Sequence, residues 1–215
     1  MIKIAVLIFI LTIFSACSFK SQPNEWKYKS INAFSSYTKN FLSNNDALAK
    51  GDLKRAIEHA KQTANLTQLS RIYLGECALN ISVGIADDCS EYKDISSLVK
   101  DKSLQSYYAL VTLSINESQI EALESKYKDF AKNVLKRNYE DAKENVFNMD
   151  KITSKLLSAS LVKDELSIDE VSKLIEEASF YGYKKSVIFW LNIKKGKTII
   201  ESQKQEIDKR IKVLE

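Results

Sequence analysis

The sequence predicts an all-α protein: antiparallel helical hairpins stacked as a repeat-like array, behind an N-terminal signal peptide. Two observations predict the helices. Apolar residues recur at a period near 3.6 along most of the chain after residue 24, which puts them on one helical face. Tight-turn residues are scarce: the 215 residues include five glycines and one proline, and neither type occurs between Gly84 and Gly182. A sheet reverses the chain often, and Gly and Pro serve those reversals best. A third observation, a short apolar run at the start, predicts the signal peptide.

Lys3 and the terminal amine form a basic start, and Ile4 to Phe14 is apolar apart from Thr12. A membrane-spanning helix needs about 20 apolar residues. This shorter run fits the h-region of a secretory signal. Phe14-Ser15-Ala16-Cys17 then resembles the lipobox of bacterial lipoproteins: Leu, a small residue, Gly or Ala, then Cys. Phe14 departs from the usual Leu. The resemblance covers the first 17 residues and implies diacylglycerol transfer to the Cys17 thiol, cleavage before Cys17 and acylation of the new amine. Ser18, in place of Asp, implies sorting to the outer membrane. The chain then divides into a signal peptide (1–16), a lipidated tether (17–24) and a helical domain (25–215). Two or more acyl chains make a stable anchor where one is marginal.

Trp26, Ile31, Phe34, Tyr37, Phe41 and Leu42 predict a helix from 25 to about 44, broken or capped at Asn44-Asn45-Asp46. Gly51-Asp52 predicts a helix end followed by an N-cap, with Leu53, Ala56, Ile57 and Ala60 lining the next helix. This segment resembles the middle of a tetratricopeptide repeat, where a Gly-Asp turn joins two antiparallel helices and an Ala-Ile pair lets them approach. Ile72-Tyr73-Leu74-Gly75 with Ala78 is similar to that family's first-helix core. The related SEL-type repeats can carry disulfides between their helices. The resemblance implies hairpins that each bury an apolar face on a neighbour.

Further helices are predicted at about 67–83, 88–100, 102–115, 150–163 and 167–180. Residues 118–147 read as one long helix or as two broken at Asn138. Ser167 and Glu170 have capping-box spacing. Gly182 ends that hairpin, a helix from Tyr183 to Lys194 follows, and Gly196 ends it. Thr198 is the expected cap of a last helix whose face is Ile199, Ile200, Ile207, Ile211 and Leu214.

Composition excludes several chemistries. Lys and Arg number 32 against 28 Asp and Glu, with the signs interspersed, which argues against nucleic acid as a partner. His59 is the only histidine, so neither a triad nor a histidine-rich metal cluster is expected. With Cys17 spent on lipid, Cys77 and Cys89 are an even pair in an oxidising compartment, which predicts a disulfide. The alternative is two unpaired thiols, one packed on an apolar helix face. Asp87-Asp88, Glu121/Glu124 and Glu176-Glu177 sit among lysines as on solvated faces. No Gly-rich phosphate loop occurs. No catalytic residue, metal or cofactor is expected.

Two features point to binding. The aromatic residues Phe180, Tyr181, Tyr183, Phe189 and Trp190 can wall a groove for a partner's helix or peptide, or fill the core. The lysines Lys184, Lys185, Lys194, Lys195 and Lys197 can face an anionic surface, or water. Tyr181, Tyr183, Lys184, Lys185 and Trp190 are therefore the candidate partner-binding residues. The expectation is a non-enzymatic scaffold, anchored in membrane lipid through acylated Cys17 on the periplasmic face of the outer membrane, that binds another envelope protein. The alternative is a cell-wall-acting enzyme or a surface-displayed adhesin.

Overall fold

A computed structural model describes residues 24–215. Cys17, the signal peptide and nearly all of the tether lie outside them. The described chain forms twelve α-helices and no strand. They are α1 (Glu25–Leu42), α2 (Asp46–Ala60), α3 (Thr67–Ser82), α4 (Ser90–Ser96), α5 (Lys102–Val111), α6 (Glu117–Ile120), α7 (Ser125–Leu135), α8 (Tyr139–Phe147), α9 (Ile152–Leu161), α10 (Ile168–Phe180), α11 (Lys184–Lys197) and α12 (Glu201–Leu214). The all-helical expectation holds.

How a chain with so few glycines turns so often is visible in its backbone. Five helices end alike: one residue adopts a left-handed conformation, and the next amide donates to a carbonyl five residues back. Asn45 donates to Asn40, Ile85 to Asn80, Ser114 to Ala109, Asn138 to Asn133 and Tyr183 to Ala178. This pattern satisfies carbonyls that the last helical turn leaves free. The left-handed residues are Asn44, Gly84, Leu113, Arg137 and Gly182. Only two are glycine, the residue that adopts this conformation without steric cost. Breaks at Leu113 and Arg137 therefore carry no sequence signal of the usual kind. The helix expected to run to 115 stops at Val111, and residues 118–147 form α6, α7 and α8.

The N-terminal hairpin departs from the repeat resemblance. Gly51 and Asp52 lie inside α2, which runs unbroken from Asp46 to Ala60. The turn is instead Ser43–Asn45. Asp52 caps nothing. It is buried within the helix and accepts from Asn40 Nδ2 at 2.7 Å and from the Arg55 guanidinium, so it pins α2 to α1. Ala56 is fully buried, and the Ser30 hydroxyl donates to its carbonyl at 3.1 Å across the hairpin. The second echo is a core element, with Ile72, Leu74 and Ala78 of α3 buried. A Cβ on Gly75 would run into the Phe34 ring.

Helices α3 and α9 form the centre. α9 is buried around most of its girth, from Ile152 through Ser160, and packs on α3. The largest apolar cluster runs from α5 to α12 around Phe130, Leu156, Leu174 and Trp190. A second joins α3, α4, α5 and α9 around Tyr92 and the two cysteines. Neighbouring helices pack on one another, and the buried Lys155 ammonium of α9 donates to both Glu177 oxygens of α10 at 2.8 and 3.0 Å. Glu177 is thus engaged with a buried lysine, unlike the solvated face expected for Glu176-Glu177.

Two contacts join helices far apart in sequence: α3 with α9, and α1 with α11. Tyr183 and Phe189 pack on the Tyr37–Phe41–Leu79–Val83 cluster of the N-terminal hairpin and α3. A linear stack, in which each hairpin touches only its sequence neighbours, would not make these contacts. At the C-terminus, α11 continues through Gly196 to Lys197. Thr198 bonds back to the Lys194 carbonyl at 2.8 Å and so ends α11, rather than starting α12. Ile207 and Ile211 are buried as expected, but Ile199 is 92% exposed and Ile200 is also exposed.

Candidate functional site

The α10–α11 turn gathers the aromatic candidates. α10 starts on the capping box the sequence predicts: the Ser167 amide donates to Glu170 Oε2 at 2.7 Å, and the Glu170 amide donates to the Ser167 hydroxyl at 3.2 Å. Gly182 reverses the chain with φ 68°. At this corner Phe180 is 85% exposed and Tyr181 49% exposed. Phe180 meets Tyr181 edge-on at 5.4 Å, and Tyr181 stacks on Tyr183 at 5.6 Å. Tyr183 is half-buried, its inner edge in the core and its hydroxyl raised above the ordinary phenol range by burial. The result is an aromatic ladder that starts in the core and ends in solvent.

The other candidates divide. Trp190 is fully buried, so it belongs to the core and not to the surface; its indole N–H has no acceptor among the described residues. Lys185 donates to Asp46 Oδ1 at 2.6 Å and lies 4.2 Å from the Phe41 ring centroid, tying α11 to the start of α2 and the end of α1. Lys194 donates to the Ser172 hydroxyl, Lys195 pairs with Asp208, and Lys197 donates to the Asp164 carbonyl. Of the five lysines, only Lys184 has a side chain that makes no ion pair or hydrogen bond among the described residues. The basic set is mostly a set of helix-to-helix ties. What stays presentable to a partner is Phe180, Tyr181, the outer edge of Tyr183 and Lys184. Phe180 is the residue that core packing least accounts for, and the sequence signal that marks it is its place just before the αL glycine.

The disulfide expectation holds. Cys77 of α3 is bonded to Cys89, with Cα atoms 5.3 Å apart and both residues buried. The loop folds back along α3 as the bond requires. Gly84 supplies a φ of 77°, and Asp87 accepts from Asn80 Nδ2 at 2.7 Å and from the Cys89 amide at 2.8 Å. Among the described residues, the one grouping of three metal-ligand types is Cys77, Asp87 and Cys89. Two of its members are joined as the disulfide and offer no thiolate.

Around this bond lies an acidic cluster that the sequence reading missed. Burial, with Glu91 and Asp87 nearby, raises the Glu76 carboxyl to about 7. Burial, together with Glu76, Asp87 and Asp46, raises the Tyr37 hydroxyl. The same loop walls an open recess of about 570 Å³ lined by Ala86, Asp87, Asp88, Ser90 and Glu91. Glu76 gave no sequence signal because its acidic neighbours come from a different segment. Comparison of the chain with known protein families, curated proteins and solved structures gives no match.

Proposed function

We propose that this chain is a lipid-anchored helical scaffold that binds another cell-envelope protein through the α10–α11 corner. The observation that carries the reading is the solvent-facing aromatic ladder Phe180–Tyr181–Tyr183 beside Lys184. Exposed aromatic side chains on a rigid helix pair supply contact area at small entropic cost, and such residues dominate interface energetics. The lipobox-like Phe14–Cys17 supports the anchor, and Ser18 supports the outer membrane. The repeat-like reading is kept for α1–α3 alone: Ala56 and Ile72 share one buried cluster, Phe34 lies against Gly75, and α11 packs on the neighbouring cluster.

The test uses the full chain in cells. A photo-crosslinking residue at position 181 is expected to give one discrete protein adduct, which the Phe180→Ala substitution weakens. A crosslinker on exposed Lys102 of α5 serves as control. Only diffuse adducts at 181, equal to those at 102, would remove the scaffold reading. Fatty-acid labelling that persists in Cys17→Ala would show that Cys17 is not the lipid site.

A cell-wall-acting enzyme has one observation in its favour. A carboxylic acid raised to about 7 beside other carboxylates is the chemistry of a general acid. Peptidoglycan zymography of the parent and of Glu76→Gln decides it: a cleared band in the parent that the variant lacks would replace the scaffold with a hydrolase.

A further inference from the structure

The exposed apolar surface at the start of α1 has no partner among the described residues. Tyr28 is 68% exposed and Ile31 47% exposed, one helical turn apart on the same face. Half-buried Trp26 belongs to none of the buried clusters among the described residues. Further along that face come Asn32, Ser35 and Lys39, all exposed and polar or charged. The apolar part is therefore confined to the first two turns. Lys27 lies beside it, and exposed Lys61 stands where α2 ends next to the start of α1. Neither makes an ion pair among the described residues, whereas Lys29 is held by Glu25 at 2.7 Å.

We propose that these two turns rest in the headgroup region of an anionic bilayer, with Tyr28 and Ile31 entering the interface, half-buried Trp26 beside them in the first turn on the other side of the helix, and Lys27 and Lys61 meeting lipid phosphates. This rests on the anchor reading above, and chain length supports it. Six residues, 18 to 23, separate the acylated cysteine from Asn24, a reach of at most about 25 Å even fully extended. The start of α1 is thus the part of the domain held nearest the membrane. Its composition suits that place, since amphipathic aromatic rings settle at the headgroup level and basic side chains are drawn to anionic lipid. The polar remainder of the face makes α1 leave the surface at an angle. From Trp26 to Phe41 is 15 residues, about 22 Å along the axis. Phe41 touches Lys185, so the α10–α11 corner is carried away from the lipid toward a protein partner.

The test uses the full acylated chain, reconstituted into phosphatidylglycerol/phosphatidylethanolamine vesicles containing brominated phosphatidylglycerol. Trp26 fluorescence is expected to be quenched. In Trp26→Phe the remaining Trp190, buried in the core, is expected to be unquenched. Tyr28→Ser combined with Ile31→Ser, at exposed positions that leave the fold intact, is expected to cut the quenching severalfold, and 0.5 M salt or neutral phosphatidylcholine to weaken it. Absent Trp26 quenching would overturn the proposal, as would quenching unchanged by the double substitution. A spectral shift that depends on protein concentration without vesicles would also overturn it, by showing that the face meets a second copy. The Cys17 acyl mass is read in the same sample, so an absent anchor and an idle face are told apart.

Discussion

Replacing Glu76 with Gln should stabilise the protein above neutral pH and leave it nearly unchanged in acid. The folded chain holds the Glu76 carboxyl near 7, against an ordinary 4.5, first through burial and then through Glu91 and Asp87. Between those two values the folded state binds a proton that the unfolded state has released. Stability from this group is therefore fully present below 4.5 and lost as pH rises through 7. At 1.36 kcal/mol per unit, the full gap corresponds to about 3 kcal/mol. Water reaches part of the half-buried side chain, so the working expectation is about 1–3 kcal/mol, or about 2–12 °C in Tm for a domain of this size. Gln keeps the shape and removes the charge. Urea unfolding of residues 24–215, followed by circular dichroism at pH 4.5, 6 and 8, should show parent and variant diverging as pH rises. Asp88 is the control. Its exposed carboxyl is held low by a hydrogen bond from Lys93, so Asp88→Asn should give no stabilisation at pH 8. A Glu76→Gln difference that does not change between pH 4.5 and 8 would refute the reasoning.

Three further outcomes can be checked by the same unfolding measurements. Arg137→Gly should stabilise by about 1 kcal/mol, because Arg137 sits at φ 57°, where a side chain crowds the backbone and glycine does not. Replacing both Cys77 and Cys89 with Ala should cost about 3 kcal/mol, the loop-closure value for a bond spanning 12 positions in sequence, and reductant should then have no further effect. Glu177→Ala should cost about 1–3 kcal/mol by stranding the buried Lys155 ammonium, and adding Lys155→Met should recover much of that loss.

Local chemistry made part of this fold legible. Ser167 and Glu170 mark the start of α10, Gly182 marks its end, and both stand where the sequence places them. The 118–147 run is broken at Asn138, as one of the two readings has it, but it is broken again at 121–124 and so makes three helices rather than two. The Cys77–Cys89 pairing follows from parity and a loop able to reverse. The misplaced helix ends trace to glycine, which is not by itself the punctuation of this chain. Gly51 and Gly196 look like helix ends and lie inside helices, where their open surroundings cost little. Leu113 and Arg137 look like helix interior and end helices, because the pairing of carbonyls and the burial of the next segment outweigh a modest steric cost. The candidate site was legible in its location but not in its orientation. Helical spacing from Tyr183 to Trp190 gives a face but not the direction it points, and it is α1 that settles this by packing on Tyr183 and Phe189.

That closure changes what kind of molecule the hairpins make. In a linear array, stability is a sum of neighbour terms and the ends fray on their own. Here the penultimate helix returns to the first. Phe189 lies against Gly84 so closely that even a methyl group there would collide with its ring. Lys185 spans Asp46 and the Phe41 ring. The N-terminal hairpin and α3, which alone would expose Tyr37, Phe41, Leu79 and Val83, are thereby sealed by Tyr183 and Phe189, far along the chain. Such long-range contacts are costly to form early and rewarding only once made, which ties the two ends into a single cooperative unit. The exposed corner at Phe180 and Tyr181 is then not a frayed edge. It stands on helices braced from both sides, by α9 through Lys155–Glu177 and by α1 through Phe41–Lys185, and bracing of that kind lowers the ordering cost when a partner is bound.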